Sequence, residues 1–154
     1  MEKKVLIING PNINMLGIRE KDVYGAVSYD DMCVTLARMA KEMNISLEIF
    51  QSNHEGALVD KVQSARAAAG FIIINPGGYT HTSIALRDAL AAVRVPFIEV
   101  HISNIYAREE FRHKSFLSGI AAGLIAGFGV EGYYFALEAA NRLIGRGEDS
   151  GARR

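Results

Sequence analysis

Phe71-Ile72-Ile73-Ile74 runs without a polar interruption into Asn75-Pro76-Gly77-Gly78, and no other stretch constrains the fold of this 154-residue chain as strongly. An unalternated apolar run closed by turn residues predicts a strand buried on both faces, as in a parallel sheet covered by helices. Pro76 removes a backbone donor and ends the ladder, while Gly77 and Gly78 allow a sharp turn and close approach to a ligand. From Ser83 to Val93 apolar residues recur at helical spacing. Asn75, Tyr79, Thr80, His81 and Ser83 are therefore expected where a central strand hands over to a helix. In open α/β sheets, ligands bind in the crevice at the carboxyl ends of the strands.

The same alternation runs along the chain. Lys4 to Ile8 predicts a first strand, closed by Asn9-Gly10-Pro11-Asn12. From there to Gly25 no period is visible, and a long loop without structure of its own is usually functional or disordered. Ser28-Tyr29-Asp30-Asp31 has the spacing of a helix start, with Tyr29, Met32, Cys33, Leu36, Ala40 and Met43 as the apolar stripe behind it. Cys33 on that stripe reads as a small core residue. Further strands are expected over 46–51, 96–101 and 124–128, and further helices through Leu58, Val62 and Ala65 up to Gly70 and over 134–144. Strict βα alternation at this length predicts one domain, a flavodoxin-like three-layer α/β sandwich with a five-stranded parallel sheet. Pattern alone leaves the strand order open. That single domain is expected to span 1–145, with the Gly- and charge-rich segment 146–154 a flexible tail.

Composition removes several classes. Lys plus Arg and Asp plus Glu are both 17, so no global charge points to nucleic acid or a membrane surface. A single cysteine, Cys33, leaves no internal disulfide and no cysteine-based zinc site, which fits a reducing cytoplasm. The apolar run at the N-terminus is too short for a signal peptide or a membrane span. No G-x-G-x-x-G follows the first strand, there is no G-K-[ST] loop, and the clustered aspartates of a receiver domain are missing.

The polar segments after strands one, three and four should share one rim. Together they offer Asn12, Arg19, Tyr24, Asn75, His81, Glu99, His101, Ser103, Arg108 and Arg112. Glu99 and His101 are two apart on a strand, so their side chains share a face. A carboxylate holding one imidazole nitrogen leaves the other free for proton transfer, although an isolated pair of this kind is more often a strand-end ion pair. Arg108 and Arg112, four apart with Glu109 and Glu110 between them, read individually as a solvated turn. Arg19 alone reads as a surface charge, and Tyr24 as a loop anchor. As a set, arginines, histidines, amides and one carboxylate suit a small polyhydroxylated anion. His81, His101 and Glu99 lack a helical H-x-x-x-H pair, which sets zinc aside.

Several motifs carry a resemblance. Ile8-Asn9-Gly10-Pro11-Asn12-Ile13-Asn14, Leu16-Gly17, Arg19-Glu20 and Tyr24-Gly25 resemble the opening of the type II 3-dehydroquinate dehydratases. Gln51-Ser52-Asn53-His54-Glu55-Gly56, Asn75 to Ser83, Glu99-Val100-His101-Ile102-Ser103-Asn104, Arg108 to Arg112 and Gly127-Phe128-Gly129-Val130 match further motifs of that family. The likeness covers residues 4–144, in order and at family spacing; Met15 stands where leucine is more familiar, and the tail after Gly145 has no counterpart.

The resemblance implies dehydration of 3-dehydroquinate to 3-dehydroshikimate through an enolate, without metal or cofactor. It implies Tyr24 as base and His101 as acid, with Glu99 orienting His101, Arg19 on a mobile lid activating Tyr24, and Asn12 holding a water at the enolate. Asn75, His81 and Arg112 would bind substrate hydroxyls, Ile102 and Ser103 the carboxylate, and Arg108 would close over the site. Asp88 matches a position that reaches a neighbouring subunit's site in a homo-oligomer, trimers assembled into a dodecamer. A second reading is a catalytically silent flavodoxin-like assembly module whose rim binds an anion; the joint presence of Tyr24, His101 and Arg19 speaks against it.

Overall fold

The computed structural model describes residues 2–18 and 27–151, with side chains as far as Arg146. Five strands, β1 (Lys3–Asn9), β2 (Ile45–Gln51), β3 (Phe71–Asn75), β4 (Phe97–His101) and β5 (Gly123–Ala126), form one parallel sheet in the order β2-β1-β3-β4-β5. Four helices, α1 (Tyr29–Glu42), α2 (Glu55–Ala68), α3 (Ile84–Val93) and α4 (Glu131–Gly151), cover its two faces. This is the expected flavodoxin-like sandwich. The order of the strands, which the sequence left open, reverses direction between β1 and β3. That reversal opens a crevice at the carboxyl ends of the two strands.

Alternation along each central strand divides the core. Val5, Ile7, Phe71, Ile73, Ile98 and Val100 face α1 and α4 with Met32, Leu36, Tyr133 and Leu137. Leu6, Ile8, Ile72, Ile74 and Phe97 face α2 and α3 with Leu58, Val62, Leu86 and Leu90. Ile7, Ile8, Ile72, Ile73 and Ile74 are wholly buried, as an unalternated run in a central strand demands.

Local signals set the helix starts. Ser28 Oγ accepts the Asp31 N–H at 3.0 Å while Asp31 Oδ2 accepts the Ser28 N–H at 3.2 Å, a reciprocal capping box. Ser83 Oγ caps α3 through the Leu86 N–H at 2.9 Å. Three expectations shift. Strand β5 ends at Ala126, because Gly127 turns away with φ +92°. Helix α4 runs from Glu131 to Gly151 instead of 134–144, so part of the expected tail is helical, and 152–154 lie outside the described residues. Cys33 is only half-buried and stands at the margin of the core beside Tyr29, one helical turn before it.

Two glycines shape the crevice. A Cβ on Gly10 would lie 2.4 Å from the Pro76 carbonyl oxygen, so the chain leaving β1 touches the chain leaving β3. Gly77 has φ +58°, a conformation other residues rarely adopt, and packs against Pro11.

Candidate active site

The loops leaving β1, β3 and β4 enclose a cavity of about 380 Å³. Asn12, Asn75, His81, His101, Ile102, Ser103, Arg108 and Arg112 all line it, beside the apolar Ile13, Leu16 and Ile105. Strand twist and the β1/β3 reversal thus bring together side chains up to 100 positions apart in sequence. Asn12 takes a left-handed conformation, φ 69°, and its N–H donates to Asn53 Oδ1 at 3.1 Å. Gln51 Nε2 donates to the Gly10 carbonyl at 3.1 Å and to Asn53 Oδ1 at 3.2 Å, so the end of β2 braces the loop after β1.

Behind the cavity stands Glu99, wholly buried on β4. Its Oε2 accepts from His101 Nε2 at 2.5 Å and from Thr80 Oγ1 at 3.1 Å. Its Oε1 accepts from Ser115 Oγ at 2.9 Å and Ser118 Oγ at 3.0 Å. Burial alone pushes this carboxyl up. The hydrogen bond and charge of His101, helped by Ser115 and Ser118, outweigh burial and hold it below the ordinary carboxylate value. A carboxylate so satisfied fixes the imidazole with its Nε2–H pointing inward, leaving Nδ1 as the working nitrogen.

His101 is 5% exposed, enough to meet a ligand and little enough to be held still. His81 lies across from it, rings 6.5 Å apart and 20° from parallel. The His81 Nδ1–H donates to the Lys114 carbonyl at 2.8 Å, which leaves Nε2 as an acceptor. Arg108 Nη1 donates to Ser103 Oγ at 3.4 Å, joining two of the groups expected to meet an anion. Arg112 Nε donates to Glu109 Oε2 at 2.7 Å.

The site therefore combines a buried, oriented proton donor or acceptor with two arginines and several groups able to bind hydroxyls around one crevice. A scan against family models matches residues 3–141 to "Dehydroquinase class II". The chain belongs to this family. Among the family's members, a 3-dehydroquinate dehydratase from Endomicrobium trichonymphae is 58% identical over 135 residues, covering 88% of this chain and 94% of that one. Another from Caldicellulosiruptor bescii is 54% identical over 143 residues, covering 92% and 99%. The crystal structure of a type II dehydroquinase from Butyrivibrio crossotus superposes with a TM-score of 0.88 at 49% identity, covering 91% of this chain and 98% of that one.

Within this dehydroquinase fold not every expected residue meets the cavity. Tyr24 and Arg19 lie outside the described residues. Asp88 is exposed on α3, away from the cavity of its own chain. Ser83 and Tyr79 serve the scaffold, the first as a cap and the second by donating to the Asn53 carbonyl at 3.0 Å. Thr80, Ser115 and Ser118 escaped the sequence reading as partners of Glu99. The Ser115-x-x-Ser118 spacing was visible, but nothing local reveals that a turn after β4 folds back under it. Asn9 and Tyr133, both wholly buried, had no place among the expected site residues: Asn9 was read as a strand end within a family motif, and Tyr133 lies just before the helix expected over 134–144.

Proposed function

We propose that this chain is a hydro-lyase that dehydrates 3-dehydroquinate to 3-dehydroshikimate, the step that carries the shikimate pathway toward chorismate and the aromatic amino acids. The observation that carries the reading is the buried Glu99–His101 pair opening onto a cavity lined by Asn12, Asn75, His81, Ser103, Arg108 and Arg112. Membership of the class II dehydroquinases supports it.

In the proposed route Tyr24, as a phenolate, removes a proton from the carbon next to the ketone. The C–H electron pair becomes the enolate, with the Asn12-held water donating to its oxygen. The enolate then re-forms the ketone and drives out the β-hydroxyl on the opposite face. His101, doubly protonated and held by Glu99, gives that hydroxyl its Nδ1 proton, so water leaves and a conjugated enone remains. Asn75, His81 and Arg112 bind substrate hydroxyls; Ile102 and Ser103 hold the carboxylate, and Arg108 closes over the site. No metal or cofactor takes part.

Tyrosine ionises near pH ~10, so bringing Tyr24 to ~7–8 requires about 3–4 kcal/mol of preferential stabilisation of the phenolate. A desolvated guanidinium supplies that and an exposed one does not, so Arg19 acts with the loop closed over substrate. The protein works as a cytoplasmic homo-oligomer of trimers, assembled as a dodecamer, in which Asp88 on α3 reaches a neighbour's site. Asp88→Ala is expected to loosen the trimer or weaken substrate binding; a monomer with full activity by ultracentrifugation and assay would rule out this assembly role.

Ultraviolet absorbance of the enone tests the activity directly. Chelator-treated protein is expected to generate it from 3-dehydroquinate, and borohydride added with substrate is expected to leave the enzyme active. Absence of product, or substrate trapped on a lysine by borohydride, would overturn the reading.

A further inference from the structure

Beneath the cavity runs a row of polar groups, of which the route above gives a task to Asn75 alone. The Tyr133 hydroxyl, on α4, lies between Asn9 Oδ1 at 2.6 Å and Asn75 Nδ2 at 2.8 Å. Asn9 and Asn75 end β1 and β3 and are register partners across the reversal that opens the crevice. At one end of the row Asn9 Nδ2 donates to the Tyr29 hydroxyl at 3.4 Å. At the other, the Gly77 N–H donates to Asn75 Oδ1 at 3.2 Å.

One fixed member sets the direction of every bond. A backbone N–H can only donate, so the Asn75 atom facing Gly77 is the carbonyl oxygen. The Asn75 amide nitrogen then faces Tyr133, whose oxygen accepts from it, and the single phenolic hydrogen goes to Asn9 Oδ1. The Asn9 nitrogen is left for Tyr29. Burial pushes both phenols up, Tyr29 to about 12, so neither loses its hydrogen at neutral pH and the row does not reverse. Asn75 is the only member of the row besides Gly77 that lines the cavity. Among the described residues its uncommitted capacity is the second Nδ2 hydrogen and one lone pair on Oδ1.

We infer that Tyr133 is a positioning residue that, together with the Gly77 N–H, holds the Asn75 amide in one orientation, so that Asn75 meets the substrate as an N–H donor to a hydroxyl oxygen. The inference rests on the reading of the cavity as a dehydroquinate site and deepens it. Its consequence is selective: an amide fixed as donor favours a ligand with an oxygen acceptor at that place, whereas an amide free to turn loses part of that preference.

Tyr133→Phe keeps the ring and removes the hydroxyl. KM for 3-dehydroquinate is expected to rise roughly 2- to 10-fold, the worth of one misplaced neutral hydrogen bond. The turnover number is expected to change less than about 2-fold, and its pH profile to stay where it is, because binding and not proton transfer is affected. Asn75→Ala should raise KM at least as much, and the double variant should add nothing further, since Tyr133 acts through Asn75. An unchanged KM in Tyr133→Phe, or the same loss with and without Asn75, overturns the inference. Should Tyr133→Phe fail to fold, Asn9→Ala removes the hydroxyl's acceptor while keeping the ring, and the same cycle with Asn75→Ala applies. Wild-type inactivity on 3-dehydroquinate would overturn the reading of the site and this inference together. Wild-type activity with an ordinary KM in Tyr133→Phe would overturn the inference alone.

Discussion

Glu99 and His101 stand two residues apart on β4, and a 2.5 Å contact between Oε2 and Nε2 joins them at the end of the sheet. The carboxylate is wholly buried and its other oxygen is occupied by two serines, so the pair has no second geometry available to it. If His101 is the acid, His101→Ala is expected to lower turnover by ~10²–10⁴, the usual size of such a contribution. Glu99→Gln is expected to lose less, because it weakens orientation and charge without removing the proton donor. Steady-state kinetics on the two variants decide; near-normal turnover in His101→Ala would dismiss the assignment.

The same pair sets a dependence of stability on pH. Glu99's carboxyl is held below its ordinary value in the folded chain. Below that folded value both states are protonated and the gain is absent; above the ordinary value of ~4.3 it is fully present. Stability from this group is therefore expected to fall as pH drops from ~5 through ~4 and lower. Urea titrations at a series of acid pH values should show a steeper loss in wild type than in Glu99→Gln, whose side chain does not titrate. Parallel slopes would mean that Glu99 gains nothing from its partners.

Base and acid separate by isotope exchange. If Tyr24 takes the proton, Tyr24→Phe should abolish both dehydration and exchange of that proton with solvent deuterium. His101→Ala should block loss of the hydroxyl while still allowing exchange. Arg19→Ala should resemble Tyr24→Phe near neutrality and recover partly as pH rises, since a phenol without its cation ionises only in alkali. Nuclear magnetic resonance of recovered substrate provides the readout, and normal exchange in Tyr24→Phe would move the base elsewhere, His81 first.

Gly10 tests the contact between the β1 and β3 loops. Gly10→Ala places a Cβ 2.4 Å from the Pro76 oxygen, and backbone on both sides must shift. A cost of about 1–3 kcal/mol in denaturant unfolding is expected, with lower activity because both loops line the cavity. Gly56→Ala on α2 is the control: apart from its chain neighbours and its own helix turn, no atom of the described residues lies within 4 Å of the added methyl, and stability should be unchanged or slightly higher. Equal stability in Gly10→Ala and Gly56→Ala would mean that the two loops are not in the contact described.

The sequence by itself determined the layers, the strands and the rim. Phe71 to Ile74 had to be a central strand, since no exposed element tolerates such a run, and turn residues after β1, β3 and β4 had to gather where those strands end. Family motifs at matching spacing supplied the rest of the candidate set, because substrate chemistry ties particular residues to particular loop positions. Only the tertiary structure decided the strand order, the hydroxyls around Glu99 and the row from Gly77 to Tyr29. Each of these joins partners far apart in the chain: 16 and 19 positions for Ser115 and Ser118 with Glu99, 58 for Asn75 with Tyr133, 124 for Asn9 with Tyr133. Periodicity and turn chemistry act over a few residues and show which face is buried. They carry no information about which polar group another element will bring to it; that follows from the packing of helices on the sheet, where every buried donor and acceptor must find its partner.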